Sequence, residues 1–380
     1  MKFFNHITIQ CISLGLFIFD LCSPNFYFKS LRIVRRQHLT QNKGNVHVIF
    51  VVYQKKHVPF YVKNIIENIK ERNIRLSVIV NYDASNEVIE YLEKWSDILT
   101  LRKNVGRDFG GYKDEITSID LKGIDRLILI NDSVFYFNRN IDTLISDLLN
   151  PNHEWVCLYE NFEVQYHAQS FLLAFGPGII HSELFKKYWE KYLPLTSRRH
   201  AIEKGEKGLS IICNKIGYSS YTINSMEVLQ RGLLALTNKE FLSLIDERWV
   251  SFSYPVYNIY YEEMQLILMP FRKNIFNKKL NCADTLISPH IVNQLILAIT
   301  NSNPTHSAAY IFLKLFDKPY LKRDCVYRNY VAKSQFRQHL EDSNLDKSEI
   351  EECMKEIGIK GSSSDERGIW PKIKLRYGFM

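Results

Sequence analysis

"NVHVIFVVYQKKHVPFYVKNIIENIKERNIRLSVIVNYD", residues 45–83, carries the repeating unit of the fold in one continuous stretch. The β-branched run over 45–54 follows the turn-forming "QNKG" and reads as a buried strand. Apolar residues then recur at helical spacing through Tyr61, Ile65, Ile66 and Ile69, so 58–73 reads as a helix. "LSVIVNYD" is a second buried strand.

The same alternation continues outward. "NEVIEYLEKW" reads as a second helix, "DILTLRKN" as a third strand and "DRLILINDS" as a fourth. Strands alternating with helices of this length predict an α/β fold, a mainly parallel sheet with helices on both faces. Ligands of such sheets bind beyond the carboxyl ends of the strands. Those ends carry Tyr53 and Gln54, Asn81 and Asp83, Asn104, and Asn131, Asp132 and Ser133. Four polar strand ends are therefore expected to converge on one edge.

Composition sets the outer limits. The chain has 380 residues, 46% of them hydrophobic, enough for a sizeable core in one large domain or two ordinary ones. The net charge of +8, from 49 basic and 41 acidic residues, suits an anionic partner such as a nucleotide diphosphate or an acidic membrane surface, and equally a basic solvated surface. No basic stripe with interleaved aromatics crosses the core region, which argues against nucleic acid as a partner. The seven cysteines, at 11, 22, 157, 213, 282, 325 and 353, form no metal-binding spacing and read as reduced thiols of a cytoplasmic protein.

The N-terminal "ITIQCISLGLFIFDLC", residues 7–22, contains Gln10 and Asp20 and falls below the roughly 20 residues of a membrane-spanning helix. It reads as a packed or membrane-surface helix in preference to a span. No signal-peptide cleavage pattern follows it. Lys29, Arg32, Arg35 and Arg36 come next, where they could meet anionic headgroups.

"RKNVGRDFGGYKDE", residues 102–115, sets an Arg-Asp pair among glycines. Gly106, Gly110 and Gly111 would let the backbone turn and approach a ligand, Arg107 would meet a phosphate, and Asp108 would orient that Arg or accept from a sugar hydroxyl. The alternative is a Gly-rich turn with an internal ion pair. The stretch is neither a Walker loop nor a GxGxxG fingerprint, so ATP hydrolysis and dinucleotide redox chemistry lose weight.

Taken in order, "NYDAS", "NVGRDFGGY", "LINDSVFY", "HAQSFLLAF" and "EKGEKGLSIICNKIGY" resemble the bacterial rhamnan synthesis F family of polysaccharide glycosyltransferases. The resemblance runs from about residue 46 to about residue 330, closing on "NPTHSAAYIFLKLFDKPYLKRD". It implies a GT-A-like, Rossmann-type nucleotide-sugar domain followed by a C-terminal helical region. It also implies roles. Asp83 matches the second-strand acid that contacts the donor's base or ribose, with a helix cap as the alternative reading. Asn104, Gly106, Arg107 and Asp108 match a donor-facing block, to which Tyr53, Asn131 and Ser133 add further donor contacts.

"NDS", residues 131–133, stands where GT-A enzymes carry Asp-x-Asp, the acidic pair that holds Mg2+ or Mn2+ against the diphosphate. Only Asp132 is charged here, which leaves metal dependence open. Glu206 fits the family's Glu-x-Gly-Leu pattern through Gly208 and Leu209 and is the expected general base, with Glu203 as the competing acid. Both would otherwise be first-turn residues of a helix. His167, Gln169 and Ser170 are candidates to line the sugar or acceptor cleft, His167 and Gln169 sharing one strand face. Lys322 and Arg323 in "KPYLKRD", and His306 in "NPTH", are candidates to reach phosphate oxygens.

The expected organisation is an apolar and basic segment over 1–44, a GT-A-like domain over 45–235, a mainly helical part over 236–330 and a charged tail over 331–380. The tail holds a flexible joint at "SSSDER" and the aromatic and basic "GIWPKIKLRYGFM". The expected activity is transfer of a sugar, rhamnose by the resemblance, from a nucleotide sugar to a growing cell-surface polysaccharide on a lipid carrier, at the inner face of the cytoplasmic membrane. The competing expectation is a non-catalytic subunit that keeps the fold as a scaffold.

Overall fold

The computed structural model describes residues 24–162, 165–250, 285–328 and 330–360, with single positions at 15, 18, 22 and 269. The 7–22 helix, apart from three of those positions, and the tail beyond 360 lie outside the described residues. Among the described residues no helix is long and apolar enough to cross a membrane.

The strands are β1 (Ile33–His38), β2 (Val46–Val52), β3 (Arg75–Val80), β4 (Ile98–Arg102), β5 (Arg126–Asn131), β6 (Val134–Tyr136), β7 (Trp155–Cys157), β8 (Glu160–Asn161), β9 (His167–Ala168), β10 (Leu172–Phe175), β11 (Tyr221–Thr222) and β12 (Tyr320–Lys322). The central sheet has eight strands in the order β1-β4-β3-β2-β5-β10-β7-β11. Its middle, β4-β3-β2-β5, is parallel throughout, while β1 and β10 run antiparallel to their neighbours. The expected mainly parallel α/β sheet is present, and β2 is its switch point, with β3 on one side and β5 on the other.

Helices α1 (Phe60–Glu71), α2 (Asn86–Trp95) and α3 (Arg107–Ile116) make the crossovers. The central strands are apolar on both faces because both are covered. Val48, Phe50 and Val52 of β2 face a core with Tyr61, Ile65 and Ile69 of α1. The alternate residues Ile49 and Val51 face a second core with Phe109, Tyr112 and Ile116 of α3.

Three expectations are corrected. First, the basic cluster near the N-terminus is not a free cationic face. Ile33–His38 forms edge strand β1, and Arg32, 2% exposed, lies inside the protein. Arg32 Nε donates to Asp114 Oδ2 at 3.1 Å, as does Arg102 Nε, so one buried carboxylate joins the β1 arm to β4 and α3. Arg36 pairs with Glu115 at 3.0 Å, Arg35 with Glu93, and Lys29 bonds the hydroxyl of Thr117. These side chains pair within their own protein, Arg35 while still 40% exposed.

Second, Gly110 and Gly111 lie inside α3, not in a turn. Third, residues 331–360 are not a solvated tail: α11 (Lys333–Asp342) and α12 (Lys347–Lys360) pack Phe336, Leu340 and Cys353 into the first core. The intervening helices are α4 (Ile141–Leu149), α5 (Glu183–Lys191), α6 (Lys207–Ile216), α7 (Met226–Leu234), α8 (Asn238–Asp246), α9 (Pro289–Thr300) and α10 (Ala309–Phe316). The 285–328 region carries α9 and α10, and its β12 pairs with β6, Lys322 opposite Val134.

Asp114→Ala leaves the Arg32 and Arg102 guanidinium groups buried without a counter-charge. The loss should be on the order of 3–5 kcal/mol of unfolding free energy. Urea denaturation reads it as a lower midpoint with an unchanged slope; an unaltered midpoint would show that the network contributes nothing.

Candidate active site

A polar cavity of about 800 Å³ opens beyond the carboxyl ends of β2 and β5. Of the expected residues, Tyr53, Arg107, Asp108, Asn131, Asp132, Ser133, His167, Gln169, Ser170, Glu203, Glu206, His306, Lys322 and Arg323 line it. Asp83, Asn104 and Gly106 do not. Asp83 is exposed after β3, and the neighbouring helix is capped by Ser85 instead. The Asn104 side-chain oxygen is buried without a hydrogen-bond partner.

Gly106 has a structural role. Its φ is +77°, and a Cβ there would lie 2.4 Å from Pro194. The close approach allowed by this glycine, and by Gly110 against the Val105 carbonyl and Gly111 against Val51, is to protein rather than to a ligand. Arg107 follows in the left-handed region at φ +53° and starts α3. Its Nε donates to the Thr196 carbonyl at 2.9 Å, which leaves the rest of the fork facing the cavity.

The switch point is held by its own hydrogen bonds. Asp132 is 3% exposed, and its Oδ2 accepts from the Tyr53 N–H at 2.9 Å and from Gln54 Nε2. Arg323 stands behind it, Nη1 lying 3.9 Å from the same oxygen. Burial raises the Asp132 pKa, and Arg323 and the two donors oppose the rise. Asn131 Nδ2 donates to Asp108 Oδ2 at 2.7 Å, while its Oδ1 accepts from Ser133 N at 3.1 Å and Oγ at 2.6 Å. The Tyr53 hydroxyl bonds Asp108 and receives Asn81 Nδ2 at 3.0 Å. Asp108 too is raised by burial first, with the Tyr53 bond opposing and the Asp132 charge adding.

Asp132 is the one carboxylate at this position, and its Oδ2, like Asn131 Oδ1, is already taken up by hydrogen bonds, a poor fit to a divalent ion. Among the described residues, no group of three His, Cys, Asp or Glu side chains could hold a metal.

The opposite wall carries the expected base. Residues 201–206 form a π-helical turn that leads into α6, a rare geometry that recurs at functional sites. The Tyr188 hydroxyl donates to the Lys204 carbonyl at 3.0 Å and to that of Gly205 at 3.1 Å. Gly205 lies against the Phe109 ring, where a Cβ would come within 2.8 Å. Glu206 Oε1 accepts from Ser170 Oγ at 2.6 Å and Ser170 N at 3.3 Å, and Oε2 lies 3.7 Å from His167 Nε2. His167 Nδ1 bonds the Gln165 carbonyl at 2.8 Å, so that nitrogen carries the proton. Glu203 also borders the cavity but pairs with Lys207 at 2.8 Å.

The expected phosphate cations divide. Lys322 Nζ donates to Ser133 Oγ at 2.9 Å and lies 4.4 Å above the Phe171 ring, its pKa lowered by burial. Arg323 turns inward, to Asp132 and over Tyr61 at 4.5 Å. His306 is no phosphate cation. Its Nε2 bonds Asp324 at 2.9 Å, its ring stacks on Tyr330, and burial lowers its pKa despite that carboxylate. Asp324, although burial opposes it, is held well below the ordinary range by His306, Lys322 and Arg328.

Sequence reasoning missed Arg198, Asp324 and Arg328, all of which line the cavity. The available signal was "TSRRH", a Ser cap followed by two arginines at the start of a helical stretch. Asp324 directly follows the expected basic pair, and Arg328 lies four residues beyond it.

Residues 76–231 match the family Rhamnan synthesis protein F. A 185-residue stretch is 24% identical to the uncharacterized protein y4gN of Sinorhizobium fredii (strain NBRC 101917 / NGR234), covering 47% of this chain. The chain thus spans about half, 48%, of that relative's length. Among solved structures, a candidate nucleotide-diphospho-sugar transferase of Desulfovibrio desulfuricans G20 aligns over 54% of this chain and 95% of its own, at 12% identity and a TM-score of 0.28. The resemblance read from the motifs is borne out over 76–231.

Gly106→Ala should cost more than about 1 kcal/mol, since the new methyl meets Pro194 in a left-handed conformation. Thermal melting checks this; an unshifted melting temperature would show that the turn relaxes freely.

Proposed function

We propose that the protein is a glycosyltransferase that moves a sugar from a nucleotide-diphosphate donor to a hydroxyl of a growing cell-surface polysaccharide carried on a lipid. One observation carries this reading. A carboxylate held through one oxygen by Ser170, Glu206, shares a polar cavity at the sheet's switch point with Arg107, Arg198 and Lys322. The match to rhamnan synthesis protein F supports polysaccharide as the product and rhamnose as the sugar.

In the proposed reaction Glu206 Oε2 takes the proton of the acceptor hydroxyl while Ser170 holds Oε1. The acceptor oxygen bonds to the anomeric carbon as that carbon's bond to the diphosphate oxygen breaks. The nucleoside diphosphate leaves with the electron pair, its charge met by Arg107 and Lys322. Asp108, fixed by Asn131 and Tyr53, is placed to accept from a donor hydroxyl. Such donors are cytoplasmic, so the reaction belongs at the inner face of the cytoplasmic membrane.

Glu206→Gln keeps size and hydrogen bonding but cannot take a proton. Sugar transfer should fall by roughly two to four orders of magnitude with donor affinity unchanged, whereas Glu203→Gln should lose far less. A panel of nucleotide sugars assayed for transfer and for slow donor hydrolysis provides the measurement. Equal losses in the two variants would remove Glu206 as the base, and absence of hydrolysis with every donor would favour the scaffold.

A further inference from the structure

At the Asp-x-Asp position Asn131 bonds Ser133 and Asp132 bonds Tyr53 and Gln54, yet a leaving diphosphate brings two or more negative charges into this cavity. Something must meet that charge. Arg107 and Arg198 both line the cavity, and among the described residues neither has a carboxylate within ion-pair distance. Arg107 bonds only the Thr196 carbonyl, through Nε. Lys322 reaches the cavity from β12 and bonds only a hydroxyl, that of Ser133. Arg328 is a fourth cation, anchored by Asp324.

We infer that Arg107, Arg198 and Lys322 form a cationic clamp that binds the donor's diphosphate directly, so that nucleotide binding needs no divalent metal. This rests on the nucleotide-sugar reading above and names how that site meets its ligand's charge.

Two further features agree. Burial first, then the like charges of Arg328 and Arg107, lowers the Arg198 pKa, with Asp324 and Glu206 opposing. Cations crowded in a partly buried site raise the energy of the empty protein, and an anion accepting charge-assisted hydrogen bonds from their forks relieves it. The second feature is Arg323. It lines the cavity beside Asp132, bonding the Asp132 carbonyl and lying 3.9 Å from Oδ2. A metal there would have to displace a guanidinium held by Tyr61 and Glu356.

Calorimetry with UDP, GDP and dTDP, each in EDTA and again with Mn2+, tests the clamp, alongside electron paramagnetic resonance of Mn2+ to count bound metal. At least one nucleotide should bind in EDTA, with Mn2+ tightening it by less than about threefold and no Mn2+ bound beyond a nucleotide-only control. Arg198→Gln, shown folded by its melting curve, should weaken that binding about tenfold or more, and Arg198→Lys should fall between it and the parent.

Binding that requires Mn2+, or Mn2+ captured by the protein, would overturn the clamp and leave the nucleotide-sugar reading standing. Parental affinity in Arg198→Gln would overturn it as well. Failure of all three nucleotides with and without Mn2+ would overturn both. Should Arg198→Gln fail to fold, the EDTA and Mn2+ arms on the parent protein decide alone.

Discussion

The structure around the cavity depends on one buried charge, Asp132, at the end of β5. Burying a carboxylate is costly unless donors and a counter-charge meet it, and three partners from distant parts of the chain do so. The Tyr53 N–H and Gln54 come from the end of β2, and Arg323 from the residue after β12. The same carboxylate therefore closes the sheet's switch point and pins the C-terminal region to it. Arg323 passes the constraint on, lying over Tyr61 of α1 and 3.6 Å from Glu356 of α12. A late helix becomes part of the cavity wall because an early strand end needs a counter-ion.

From that fixed point the donor side follows. With its N–H on Asp132, Tyr53 can place its hydroxyl on Asp108, and Asn81, itself bonded to Arg102, receives the other end of the relay. Arg102 shares Asp114 with Arg32, so the relay ends in the edge strand. Backbone geometry contributes too: Gly106 and Arg107 both lie at positive φ, which turns the chain into α3 and presents Arg107 and Asp108 at the cavity.

The pattern from β2 to β5 was legible because its information is local: apolar runs and helical periodicity lie in contiguous residues. β1 was not, since "IVRRQH" reads as a basic cluster until Glu93 and Glu115, far along the chain, are seen to pair with Arg35 and Arg36. Asn131, Asp132 and Ser133 were legible as a cavity edge, but the bonds of Asn131 to Ser133 and of Asp132 to Tyr53 and Gln54 were not. The role of Arg323 was misread for the same reason: from "KRD" alone Lys322 and Arg323 are equivalent. Lys322 ends β12 and bonds Ser133, whereas Arg323, the next residue, lines the same cavity but turns to the Asp132 carbonyl. Arg198 lies outside any periodic segment, and only the fold brings it to Arg107.

The two walls of the cavity are not independent. An α-helix through 201–206 would leave Glu203 and Glu206 as near neighbours on one face, and sequence alone gives little reason to prefer either. The π-helical turn changes the spacing there, sending Glu203 to Lys207 and Glu206 to Ser170. That turn fits only because Gly205 has no side chain where it meets Phe109, the residue after Asp108. Any larger residue at 205 would press on the ring at the start of α3 and shift Asp108 and Arg107 with it. The acid that takes the acceptor's proton and the residues that hold the donor are thus set by a single contact between a glycine and a ring.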